Sequence, residues 1–78
     1  MNKEARIEIA NRLADQIQSG PAKEKANVWS KGGLVRVYVR KGFIEILENG
    51  TVDISSVGGF AFQKNITHHV ECAKLTLA

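Results

Sequence analysis

The chain has 78 residues, a formal net charge of +3 and an apolar share of 44%, a length that makes one domain, 1–78, and excludes a second. One cysteine rules out an internal disulfide, and two histidines are too few for a structural zinc centre of four Cys/His ligands in one chain. A core of this size supplies only about 3–5 kcal/mol, so the expectation is either regular packing or a second subunit.

The chain starts with Met1-Asn2-Lys3-Glu4-Ala5-Arg6, which mixes polar and apolar residues, so neither a signal peptide nor a membrane span is expected there. With a lone thiol, this points to a cytoplasmic protein without a membrane partner. Ile9, Leu13 and Ile17 stand four apart, with Ala10 and Ala14 beside them, on one face of an amphipathic helix. Asn2 suits its N-cap, and Gly20-Pro21 stops it after Ser19. Glu4, Arg6, Glu8, Arg12, Asp15 and Gln16 are assigned to its polar side.

From Ala26 to Ser55 the period changes to two. Val35, Val37 and Val39 alternate with Leu34, Arg36, Tyr38 and Arg40. A Lys41-Gly42 turn would pair Val39 with Ile44 and Val37 with Ile46. A Lys31-Gly32 turn would set Val28, on a strand around residues 26–30, opposite Val35. At Glu48-Asn49-Gly50, a three-residue loop with Gly50 in a bulge pairs Ile46 with Val52 and Ile44 with Ile54, which keeps the apolar face whole. The fold class is therefore α+β: an N-terminal helix packed on a four-stranded antiparallel β-meander.

Ser55-Ser56-Val57-Gly58-Gly59 reads as a break, with Phe60 and Phe62 anchoring the next loop or short strand in the core. Ile66, Val70, Ala73 and Leu77 recur at helical spacing and predict a C-terminal helix, with Thr67 its N-cap, although Leu75-Thr76-Leu77 also suits a strand.

Charge is unevenly spread. Residues 21–42 carry Lys23, Lys25, Lys31, Arg36, Arg40 and Lys41 against Glu24, while residues 43–56 carry Glu45, Glu48 and Asp53 and no base. Strands of opposite sign side by side are expected to neutralise each other.

Candidate chemistry is thin. His68, His69 and Cys72 stand at helical metal-ligand spacing, but no second pair exists in the chain, so only a dimer would complete a site. As a nucleophilic pair they lack a third, orienting group. Glu45 opposite Asp53 resembles a general acid/base pair, yet Arg36 or Arg40 from the next strand would compensate both. Gly32-Gly33 and Gly58-Gly59 lack the lysine and hydroxyl of a phosphate loop. No metal, cofactor or catalytic residue is assigned.

The outer sheet face is less ordinary. The pattern places Trp29, Leu34, Tyr38, Phe43 and Leu47 there, with Arg36 and Arg40 among them, where an antiparallel sheet normally shows polar residues. Tyr, Trp and Arg are the types enriched at interface hot spots. The reading is a non-enzymatic protein-interaction module, a homodimer or one bound to another protein, in contact through Trp29, Leu34, Arg36, Tyr38, Arg40 and Phe43. By analogy alone, such small proteins are common among phage and mobile-element accessory genes. The alternative is weak single-stranded nucleic-acid binding by base stacking on the same face, which Glu45 and Asp53 oppose. A third possibility is that the segment with Phe60 and Phe62 covers the face and makes it core.

Overall fold

The computed structural model describes residues 2–20, 24–58, 64, 67, 68, 70 and 71. Helix α1 spans Lys3–Ser19. Its start is set by Asn2, whose side-chain oxygen accepts a hydrogen bond from the Ala5 N–H at 2.8 Å and so satisfies one of the donors a helix N-terminus leaves open. Its end is set by Gly20, which is extended (φ −71°, ψ 170°), the conformation that a following proline imposes on the residue before it. The stripe expected to be buried is buried: Ile9, Ala10, Leu13, Ala14 and Ile17 all join the core.

Four strands follow: β1 (Ala26–Lys31), β2 (Leu34–Val39), β3 (Gly42–Ile46) and β4 (Val52–Asp53). They form one antiparallel sheet in the order β1-β2-β3-β4, so each strand pairs with its sequence neighbour. Helix α1 lies on the face that carries Val35, Val37, Ile44 and Ile46, each fully buried. Each such aliphatic side chain contributes about 1.5–3 kcal/mol when withdrawn from water. An α+β fold with one helix on a four-stranded meander is thus what the chain adopts.

Two of the three expected registers are corrected. Val37 pairs with Ile44 and Val39 with Gly42, so the hairpin loop is Arg40-Lys41 and not Lys41-Gly42. Val28 pairs with Val37 and Lys31 with Leu34, so the first loop is Gly32-Gly33. Both shifts are by two residues, which leaves every side chain on its expected face. The first has a visible cause. Gly42 has φ 138°, and a Cβ there would collide with the backbone carbonyl of Ser56, so its glycine serves a close approach of main chains inside the strand. The second comes from Gly32, whose φ of 59° fits the first central position of a two-residue hairpin turn.

The third register stands as expected. Ile46 pairs with Val52, and Gly50 has φ 85° in a three-residue loop closed by bonds from Leu47 N to Thr51 O and Gly50 N to Leu47 O, both 2.8 Å. Strand β4 ends at Asp53, so Ile54 lies past it. After a turn through Ser55-Ser56, Val57 buries its side chain and Gly58 donates its N–H to the Lys41 carbonyl at 2.8 Å, which fastens this segment to the β2–β3 loop. Where a C-terminal helix is expected, Lys64, Thr67, His68, Val70 and Glu71 have helical backbone and Val70 is buried, so Thr67 is not the N-cap expected of it. The other residues of the expected helix, the choice between helix and strand at Leu75–Leu77, and the anchoring of Phe60 and Phe62 fall outside the described residues.

Arg6 corrects the polar-side assignment. It is only 5% exposed, on the sheet side of α1. Its Nε and Nη2 donate to the Ile46 carbonyl at 3.1 and 2.7 Å, and Nη2 also donates to the Gly33 carbonyl at 2.9 Å. The β2–β3 ladder stops at Arg36–Glu45. Beyond it, the guanidinium fork reaches one carbonyl at the end of β3 and another in the β1–β2 turn.

Candidate interaction surface

The face turned away from α1 is organised in cross-strand rows. Trp29, Arg36, Glu45 and Asp53 form one row, and Asn27, Tyr38 and Phe43 the next. Period-two geometry puts all of them on one side of the sheet.

In the first row Arg36 Nε donates to Glu45 Oε1 at 2.9 Å, and Nη1 donates to the Tyr38 hydroxyl at 3.2 Å. The Tyr38 hydroxyl first, and the Glu45 carboxylate second, hold the Arg36 pKa above its ordinary value. The guanidinium carbon lies 4.3 Å from the Phe43 ring centre and 5.7 Å from that of Trp29, within range of the attraction between a cation and an aromatic face. Trp29 meets Tyr38 edge-on at 5.9 Å, and Tyr38 meets Phe43 at 5.6 Å with a 47° tilt. Arg36 is thereby fixed at the centre of three rings. A pre-ordered arginine costs less side-chain entropy on binding than a free one.

These side chains remain open to solvent. Trp29 and Tyr38 are each 37% exposed and Leu34 is 40% exposed, while Phe43 and Arg36 are half-buried. Of the six residues expected to form the surface, the structure gathers Trp29, Arg36, Tyr38 and Phe43 into one cluster. Leu34 lies two residues along β2 from Arg36, on the same face. Arg40 lies in the β2–β3 loop, beside Tyr38. It lines a shallow depression of about 470 Å³ with Glu24, Lys25, Asn27, Tyr38 and Val39.

Glu45 does stand opposite Asp53, but neither is arranged for acid/base work. Glu45 is paired with Arg36. Asp53 Oδ1 accepts the Ser55 N–H at 2.9 Å, and that bond, followed by one from the Ser55 side chain, holds its carboxyl below the ordinary range. The expected neutralisation between strands is correspondingly local. Arg36–Glu45 is the cross-strand ion pair, and among the described residues Lys25, Lys31, Arg40 and Lys41 have no ion-pair partner. No group of three or more His, Cys, Asp or Glu side chains placed to hold a metal occurs among the described residues, and His69 and Cys72 lie outside them. No described helix is long and apolar enough to cross a membrane.

Sequence reasoning missed Arg6. The available signal was its spacing: Arg6 precedes Ile9 by three residues and Ala10 by four, so it continues the apolar stripe. No protein-family model, curated protein or solved structure matches the chain.

Proposed function

We propose that this chain is a small non-enzymatic protein-interaction module that works in the cytoplasm as a homodimer, with Trp29, Leu34, Arg36, Tyr38, Arg40 and Phe43 as its contact surface. The observation that supports this is the exposed ring cluster with a pinned arginine at its centre. Leaving Trp29, Leu34 and Tyr38 more than one-third exposed forgoes burial that a small domain needs. A partner that covers the face recovers that burial, and aromatic and arginine anchors are the residues that dominate binding energy at such surfaces.

Sedimentation equilibrium of the wild type and Tyr38→Glu tests the reading. The expected result is a wild-type dimer, with Tyr38→Glu folded, monomeric and lower in Tm. A wild-type monomer at about 100 μM, or a Tyr38→Glu variant with unchanged mass, overturns it.

A second reading, weak single-stranded nucleic-acid binding, draws on Lys25 and Arg40 beside Tyr38 in the depression. It predicts quenching of Trp29 emission by single-stranded DNA or RNA at low salt that fades as salt rises. Against it, the Arg36 charge is already committed to Glu45. Emission that does not change with added strand removes it.

A further inference from the structure

The cross-strand pairs on the outer face of β2 and β3 join unlike residues: Arg36 faces Glu45, and Tyr38 faces Phe43. This pattern restricts how a second copy can lie on the face. Closed dimers use a two-fold axis, and for face-to-face sheets with aligned strands that axis runs either along the strands or across them. If it runs across the strands, β2 covers the β2 of the partner. With the axis on the row of the ion pair, Arg36 then meets the partner's Arg36 and Glu45 meets the partner's Glu45. If it runs along the strands, midway between β2 and β3, β2 covers the β3 of the partner. Arg36 then meets the partner's Glu45 in both directions, and Tyr38 meets the partner's Phe43.

We propose that two copies of this chain pack outer face to outer face about a two-fold axis parallel to β2 and β3, with the two Arg36–Glu45 pairs stacked head to tail at the centre. Four charges then alternate in sign around the axis, and the aromatic rows close over one another beside them. The same operation turns the β1 edge, which ends in the exposed Lys31, toward the β3–β4 side of the partner, which carries Asp53. The basic half of each sheet thus lies against the acidic half of the other. The excess charge that strands do not neutralise within one chain is neutralised between two. The proposal rests on the homodimer reading above.

Charge exchange tests the face, and cysteine pairing tests the axis. Arg36→Glu places four carboxylates at the centre of a homodimer, and Glu45→Arg places four guanidinia there. Each is expected to weaken self-association at least ~tenfold, because like charges brought together across an interface are strongly unfavourable. Mixed in equal amounts, the two variants should form a heterodimer, and the double exchange Arg36→Glu with Glu45→Arg should restore the homodimer. In the mixture each chain still lacks its internal ion pair, so association recovered there separates interface repulsion from damage to the fold, whereas the double exchange restores both at once. In a Cys72→Ser background, Tyr38→Cys and Phe43→Cys chains carrying different tags are then mixed under mild oxidation. An axis along the strands yields mainly the mixed disulfide, whereas an axis across them on the ion-pair row carries Tyr38 over the partner's Leu34 and yields neither the mixed nor the like disulfides.

A wild-type dimer indifferent to both single exchanges, or one in which the mixed disulfide is not the main product, overturns this geometry and leaves the homodimer reading standing. A wild-type chain that stays monomeric overturns both.

Discussion

Replacing Arg6 by methionine keeps most of its volume and removes every donor it offers. The wild-type guanidinium serves two main-chain carbonyls, Ile46 through two short bonds and Gly33 through one. Withdrawing a charged donor from a buried acceptor costs about 1–3 kcal/mol per acceptor. The Ile46 acceptor is buried and the Gly33 acceptor only part-buried, where water replaces some of what is lost, so the two give about 2–5 kcal/mol, and relief from burying a guanidinium offsets part of it. A net loss of about 3 kcal/mol is expected, comparable with the whole contribution of so small a core. At 4–8 °C per kcal/mol for a domain of this length, Tm should fall by roughly 12–24 °C. Thermal unfolding followed at 222 nm reads the shift directly. Arg6→Lys should recover less than half, since an ammonium on a flexible stem cannot reproduce the planar fork that spans both oxygens. An Arg6→Met protein that melts within 3 °C of the wild type would refute the claim that these bonds hold the helix to the sheet end.

Gly42→Ala should destabilise by at least ~2 kcal/mol, because the new Cβ meets the Ser56 carbonyl and φ 138° is a region that side-chain-bearing residues avoid. Urea midpoints measure it, and Gly33→Ala, with nothing within 4 Å of the added carbon, is the matched control. Asp53 gives a pH dependence of known sign. Its folded-state pKa lies below the ordinary carboxyl value, so its contribution is complete above that value and disappears as pH falls through the lower, folded-state pKa. Between pH 5 and pH 2 the wild type should therefore lose more Tm than Asp53→Asn, whose amide oxygen still accepts the Ser55 N–H without titrating. Parallel acid limbs for the two proteins would mean that Asp53 does not contribute to the acid sensitivity.

Periodicity carried most of the fold. The Ile9, Leu13 and Ile17 spacing, the Asn2 cap and the Gly20-Pro21 stop fix α1, because each is a local property of a few neighbouring residues. Alternation in β2 and β3 sorts the two faces, and it does so even when the pairing is two residues out, since a shift of two preserves side-chain direction. What the alternation does not contain is the loop position. A glycine near a turn reads as a turn residue, but Gly42 sits inside β3 on account of Ser56, fourteen residues later. Arg6 was hidden for a related reason: its partners are carbonyl oxygens, which leave no mark in a sequence. The outer-face cluster was legible as a set of residues on one side of a sheet. The ring geometry and the choice of Glu45 as the Arg36 partner required the register.

The meander order also has a kinetic side. Strands that pair only with their sequence neighbours close small loops, and hairpins of this kind form in about 1–10 μs. The Arg6 bonds are different, spanning 27 residues to Gly33 and 40 to Ile46, which places them among the most expensive closures in the chain. If the sheet assembles before the helix is clamped to its end, substitution at Arg6 will speed unfolding and leave the folding limb of a chevron almost unchanged. A folding limb slowed in proportion to the lost stability would mean the reverse, that the arginine is in place when the barrier is crossed. On the first outcome, Arg6 acts as a latch on the finished domain, and how long a folded molecule lasts is decided at a single side chain on α1.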